Sequence, residues 1–273
     1  MTRDVIPGRG IALGLTITIV SLVVLLPLAA IVLSLSGITP AQLVAIAFSP
    51  RALAAYWLSF WTALVAASLD VAIGGVIAIV LVRSSVPGIR ALDAIVDVPF
   101  ALPTAVTGIT LATLYGPTGW IGAWFAQHGV PIAYTPFGIV LALAFVGLPF
   151  VVRTVQPIVA TLPRDLGEAA ASLGAAPLAI FARVTLPLLA PALLTGFALA
   201  FARTIGEYGS VIFIAGNMPF RTEITPLVIV TRLEEYDYAG AAAVALVALL
   251  TSFMLLLTIN ALQRRLSTAR GAL

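Results

Sequence analysis

The sequence predicts an all-α, polytopic membrane helix bundle with six transmembrane helices in a single domain, residues 1–273. Composition is the first reason: 61% of the residues are hydrophobic and 9% charged, whereas an ordinary soluble domain carries about 25% charged residues. Mean hydropathy is +1.14, which excludes a water-soluble fold. The second reason is length. The apolar residues fall in largely uncharged runs of about 20, the number that spans ~30 Å of hydrocarbon as a helix. The third is the one-sided placement of arginine between those runs, which fixes an orientation.

The first run, Ile11 to Leu35, follows Arg3 and Arg9 as a signal peptide would, but its 25 residues exceed the about 7 to 15 of a cleaved signal's apolar region. It is expected to remain as a helix. Trp57 to Val82 is the second span, interrupted only by Asp70. The third runs from about Ala94 to Tyr115 with Asp97 near its start, and the fourth, Phe137 to Val152, is short. The fifth, Leu188 to Ala215, contains Arg203 and Glu207, and the sixth runs from Gly240 to Leu262.

Six spans put both termini on one side. With the N-terminus inside, the cytoplasmic segments hold Arg3, Arg9, Arg83, Arg90, Arg153, Arg164, Arg183, Arg264, Arg265 and Arg270. The outer loops hold only Arg51, Arg221 and Arg232, which is a clear positive-inside bias. The net charge of +3 therefore reflects topology, and no basic patch interleaved with aromatics points to nucleic acid. Trp57, Trp61, Trp120 and Trp124 fall near the outer boundary, where amphipathic rings favour the headgroup level.

Missing residue types exclude several chemistries. All 14 basic residues are Arg; without Lys there is no P-loop and no Schiff base, so any ATP hydrolysis belongs to another polypeptide. Cys is absent and His128 is the only His, which leaves little for zinc sites or hydrolase triads. No catalytic or metal residue is expected, and His128 is expected to face solvent in an outer loop.

The loop between spans four and five, residues 162–187, differs from the others. Pro163 and Asp165 suit the start of a helix, the Ala-rich middle suits its propagation, and Gly174 suits its end. Pro177 can start a second helix through Phe181 and Arg183, which Pro187 is expected to separate from span five. A charged loop helix is ordinarily just solvated. Here Glu168-Ala169-Ala170, Gly174 six residues after Glu168, and the ending Val184-Thr185-Leu186-Pro187 resemble the EAA loop of ABC importer permeases. The resemblance implies a coupling helix that docks into a groove on an ATPase subunit, with Glu168, Ala169, Ala170, Gly174 and Pro187 as its marks.

Two further stretches narrow the family. Ala101 to Gly108, continuing through Leu114-Tyr115-Gly116-Pro117-Thr118-Gly119-Trp120, looks like span three of sulfate and molybdate permeases. Gly206 to Phe220, Thr222 to Leu227 and Leu233 to Gly240 are similar to the T-type subunit of sulfate/thiosulfate ABC importers. That family implies a MetI-like fold and a non-catalytic subunit forming half of a transmembrane path in the bacterial inner membrane. Its implied partners are a related W-type permease, two ATPase subunits carrying ATP and Mg, a periplasmic sulfate-binding protein, the sulfate or thiosulfate anion and the lipid bilayer. It implies no cofactor in this chain.

Arg203 and Glu207 sit four residues apart in span five, on one helix face. Isolated charges in hydrocarbon cost roughly 2.5 to 3.5 kcal/mol each even on the insertion scale, so they must face protein, water or each other. One account is a mutually neutralising pair, which already explains how Arg203 is tolerated. The other is an anion path lined by Arg203, with Gly206, Gly209 and Ser210 permitting close approach. Asp70 is expected to be a structural partner for a hydroxyl or an Arg on a neighbouring helix.

The alternatives are a molybdate, tungstate or other oxyanion permease, a secondary transporter, and an intramembrane lipid enzyme. Secondary transporters show paired broken helices in two halves, and no such symmetry is evident. A lipid enzyme would be expected to cluster acids for metal, whereas Glu234, Glu235 and Asp237 lie on the outer side.

Overall fold

The computed structural model describes residues 9–163 and 165–270, and among the described residues all regular structure is helical. Helices α1 (Arg9–Val20) and α2 (Leu26–Leu33), joined by a π-helical turn at Ser21–Leu25, form one continuous first span. A short α3 (Pro40–Ala47) follows, started by a capping box in which the Thr39 backbone N–H donates to Gln42 Oε1 at 2.8 Å and the Gln42 N–H donates back to Thr39 Oγ1 at 3.3 Å. Ser49 caps α4 (Pro50–Arg83), whose Pro50 has no N–H to leave unpaired at the first turn. Then come α5 (Ile89–Val96), α6 (Val98–Ala101), α7 (Thr104–Tyr115), α8 (Gly122–Gln127) and the long α9 (Pro136–Thr161). The remainder is α10 (Asp165–Ser172), α11 (Pro177–Ile180), a second π turn at Phe181–Thr185, α12 (Leu186–Thr204), α13 (Val211–Ala215), α14 (Thr225–Glu234) and α15 (Tyr238–Arg270).

The core lies where α4, α9 and α12 meet. Small residues let these helices approach closely: a Cβ on Gly74 would sit 3.2 Å from the Val151 side chain, and one on Gly196 would sit 3.0 Å from Val151 Cα. With no hydrophobic drive between helices in lipid, such close packing is what holds them together. Ala63, Ala66 and Ala67 of α4, Leu143, Val151 and Val155 of α9, and Phe201 of α12 are all buried there. The first span is different, because no residue of its apolar window is buried. It touches the bundle through α15 and presents its Leu, Ile and Val side chains outward, as a lipid-facing helix does.

Among the described residues five helices are long and apolar enough to cross a membrane, at Gly10–Leu33, Pro50–Arg83, Pro136–Thr161, Pro177–Thr204 and Tyr238–Ile259. The expected third span is not one helix. Asp97, Leu102 and Pro103 interrupt it, with Pro99 and Pro103 each starting a new segment, so that only the 12 residues of α7 remain as its apolar part. The fourth span is longer than expected, running nine residues past Val152 to Thr161. Arg153 does not end it, because acids from elsewhere in the chain satisfy the guanidinium.

The fifth span begins and ends earlier than expected. Pro187 does not separate the loop helix from it: the π turn at Phe181–Thr185 carries the helix past that proline, and Pro177 to Thr204 is continuous. The helix stops at Thr204, and Val211–Ala215 is a separate turn of helix. The region after it, expected as plain outer loop, contains α14 packed on α15 and α4. Arg3 and Arg164 of the cytoplasmic set lie outside the described residues.

Candidate functional site

The loop helix α10 is presented, not packed. None of its residues is buried, and it rests chiefly on α11 and the following π turn. Asp165 and Glu168 stand in its first turn, where carboxylates complement the positive end of the helix. Its end is a Schellman motif: the Gly174 N–H donates to Ala171 O at 2.9 Å and the Ala175 N–H to Ala170 O at 3.1 Å. Gly174 has φ +82°, a left-handed conformation with open space around the missing side chain. Its glycine is therefore required by backbone conformation, not by crowding. On either side of it Leu173 and Leu178 are 89% and 77% exposed, two large apolar side chains that the described residues leave uncovered. Ala169 is exposed, Ala170 is half-buried, and Pro187 lies in the first turn of α12.

The structure brings Arg203 and Glu207 into contact, though Glu207 lies beyond the end of α12. Arg203 Nη1 donates to Glu207 Oε2 at 2.5 Å. The other carboxylate oxygen accepts from the Ser210 N–H at 3.1 Å and its hydroxyl at 3.2 Å. Glu207 is 3% exposed and Arg203 39%, so the acid is built into the turn while the guanidinium reaches out of it. Ser210 is fully buried with its hydroxyl committed to Glu207, and Gly209 packs on Thr104, whose Oγ1 occupies the space a Cβ would need. Gly206 alone of these small residues has nothing near it and borders a cavity of about 490 Å³, lined also by Tyr56, Ser59, Thr225 and Ser252.

Asp70 lacks the polar partner expected of it. Its side chain is buried in α4, and Oδ2 accepts no hydrogen bond. Thr204 of α12, whose methyl group borders the same glycine, Gly147, donates its Oγ1 hydrogen to Ala200 O instead. Facing Asp70 on α9 is Gly147, where a Cβ would overlap Oδ2. His128 is exposed, lies against Trp124 with ring centroids 4.4 Å apart and planes tilted by 38°, and bonds through Nδ1 to Trp124 O at 2.7 Å. Among the described residues no group of three or more His, Cys, Asp or Glu could hold a metal ion.

Residues 70–269 match the family described as binding-protein-dependent transport system inner membrane component. The chain belongs to that family. This inner-membrane component is 50% identical over 252 residues to a probable sulfate transport system permease protein, cysT, of Nephroselmis olivacea, covering 92% of this chain and 88% of that one. It is 46% identical over 264 residues to the sulfate transport system permease protein CysT of Salmonella typhimurium, covering 97% and 95%. Among solved structures, a bacterial ABC transporter for import of the acidic polysaccharide alginate superposes with a TM-score of 0.76 at 15% identity over 92% of both chains. The same alginate system in complex with its pentasaccharide-bound periplasmic protein gives 0.75 at 17% over 93% of both. These two establish the fold, that of ABC importer permeases. Family membership makes the chain a multi-span membrane component of a transport system, not an enzyme.

One constellation of this inner-membrane component escaped the sequence. Arg153 of α9 donates from Nε and Nη2 to Asp97 at 2.8 and 2.5 Å, from Nη1 to Asp93 Oδ1 at 2.6 Å and Gln156 Oε1 at 2.7 Å, and from Nη2 to Asp93 O at 2.9 Å. Gln156 Nε2 also donates to Asp93 Oδ1 at 2.9 Å. The Gln156 amide and the Arg153 guanidinium hold the Asp93 carboxyl below its ordinary value. The acids lie 56 and 60 residues from Arg153 in sequence, and only the pairing of an Arg at one span's end with acids at another's start hinted at it.

Proposed function

We propose that this chain is the T-type permease subunit of an ATP-driven importer of sulfate or thiosulfate, forming half of the transmembrane path. The observation that carries the proposal is the 46% to 50% identity to sulfate permeases over more than nine-tenths of the chain. The other half of the path is a related W-type permease. Two separate ATPase subunits bind ATP and Mg, and a periplasmic sulfate-binding protein delivers the anion. The protein lies in the bacterial inner membrane with both termini cytoplasmic, as the arginine asymmetry supports.

Helix α10 docks on an ATPase subunit. Support comes from its exposed face, its two uncovered leucines and its glycine-determined end, which together give a short rigid knob with a fixed direction. Arg203 faces the anion side of the path while Glu207 fixes the turn beneath it. An arginine within a span does not present itself to lipid, so its exposed part faces water or the partner permease. Gly206 keeps the backbone open beside it.

Radiolabelled sulfate uptake in a strain deleted for this chain tests the proposal. The restored chain should return uptake, and excess molybdate should leave most of it intact. Failure to restore uptake, or its abolition by molybdate, would move the chain to another oxyanion.

A further inference from the structure

Arg153 stands between the coupling loop and the broken third span. Helix α9 continues from Arg153 to Thr161, eight residues or about 12 Å of helix, then turns through Leu162 and Pro163 into α10. On its other side the guanidinium grips α5 and α6. Asp97 is the residue between those two helices, and Asp93 offers both a carboxylate and a backbone carbonyl from the last turns of α5. All five N–H donors of the arginine are engaged, in the fixed fork that only this side chain has. One positive charge against two carboxylates does not amount to neutralisation; the geometry is that of a clamp. Phe100 of α6 adds an edge-to-face contact with Phe150 of α9, centroids 5.1 Å apart.

Beyond α6 the chain is extended at Leu102 and Pro103, and α7, though it also touches α9, packs chiefly on α13. A Cβ on Gly108 of α7 would lie 2.5 Å from Ser210 O, and Thr104 fills the space beside Gly209. Helix α7 therefore packs on the turn that carries Glu207 and, through it, Arg203. The Leu102–Pro103 joint separates a body clamped to the cytoplasmic part of α9 by Arg153 from a body packed chiefly on α13 and the charged turn.

We infer that Arg153 is a positioning residue for transport: its fork makes α5 and α6 move as one body with the cytoplasmic end of α9, so that displacement of the coupling loop reaches the joint before α7. The inference rests on the docking of α10 proposed above. Lysine keeps the charge but has three donors on one nitrogen and cannot form the fork. Asp93 and Asp97 are nearly half exposed, so releasing them leaves solvated carboxylates and a folded chain.

The assembled importer, reconstituted in proteoliposomes, is compared as wild type, Arg153→Lys, Arg153→Gln and Gly174→Leu, measuring ATP hydrolysis and sulfate uptake per complex. Both Arg153 variants should assemble and hydrolyse ATP while uptake per ATP falls about tenfold, within the usual range of coupling between sites. An unchanged ratio overturns the inference, as does loss of assembly in Arg153→Lys, which would make the clamp a fold support only. Gly174→Leu reports on docking separately and should lose hydrolysis. A second measurement does not depend on docking. The chain has no cysteine, so Leu92→Cys and Ile158→Cys, both exposed positions, accept spin labels on α5 and α9. Their distance should stay constant between nucleotide-free and ATP-bound complexes and vary in Arg153→Lys. A change in the otherwise wild-type protein overturns the joint motion even if Gly174→Leu behaves as proposed.

Discussion

Of the arginines at helix positions within or beside the spans, Arg153 and Arg203 are used in opposite ways. Arg153 has every N–H engaged by Asp93, Asp97 and Gln156, while among the described residues Arg203 makes one side-chain hydrogen bond, to Glu207. In the first cluster the cation is the fixed hub and the acids are the more exposed partners. In the second the acid is buried and the cation is free-ended. A guanidinium with no donor left can only position other groups, whereas one with donors to spare can also meet an anion.

The largest effect is expected at a third charge, Asp70, which has neither arrangement. Gly147→Ala would place a methyl group on Asp70 Oδ2, an overpacking of the core that costs about 1–3 kcal/mol. Folded protein extracted in mild detergent should fall sharply, and Asp70→Ala should recover most of it in the double variant. Wild-type behaviour of Gly147→Ala would mean that the carboxyl is not fixed against α9. Next comes the Arg203 pair. Glu207→Ala strips partners from the part-exposed Arg203 and from the Ser210 N–H, and because solvent takes over part of what Arg203 loses, folded abundance should drop by less than in Gly147→Ala. Arg203→Gln should keep more of its abundance yet lose uptake normalised to it. Full normalised uptake in an Arg203→Gln/Glu207→Gln double variant would remove the anion-facing role and leave a neutralising pair.

The smallest effect is expected from pH. The Asp93 carboxyl is held below its ordinary value of 3.8. A depressed carboxylate contributes stability that is fully present above the ordinary value and lost only as pH falls through the lower folded one. Uptake per ATP should therefore be flat between about pH 5 and 8 as far as the clamp is concerned. Loss of coupling near pH 6 that disappears in Asp93→Asn would contradict the assignment of Asp93 to the clamp.

The spans were legible because lipid demands long uncharged helices, and four of the six apolar runs start or end close to where a helix long enough to cross the membrane does. What stayed hidden depended on partners far along the chain. Arg153 looked like the end of a span because the acids that satisfy it come from α5 and the residue after it. Pro187 looked like a break because a π turn, invisible in residue type, absorbs its missing N–H. Proximity of Arg203 and Glu207 followed from their spacing, but the end of α12 between them did not, nor did the commitment of Ser210 to Glu207. Helix α14 was concealed by Arg232 and the acids at its end, which read as loop.

The π turn at Phe181–Thr185 has a consequence for how this lineage of loops can change length. A π turn holds one residue more than the α turn it replaces. Deleting a residue there would restore ordinary α geometry and keep the helix unbroken, yet each residue of an α-helix accounts for about 100° of rotation. The knob formed by α10 would swing to another side of the span it serves, still folded, still exposed, and aimed away from its present direction. Insertions and deletions are commonly harmless in surface loops; in these five residues one would act as a dial.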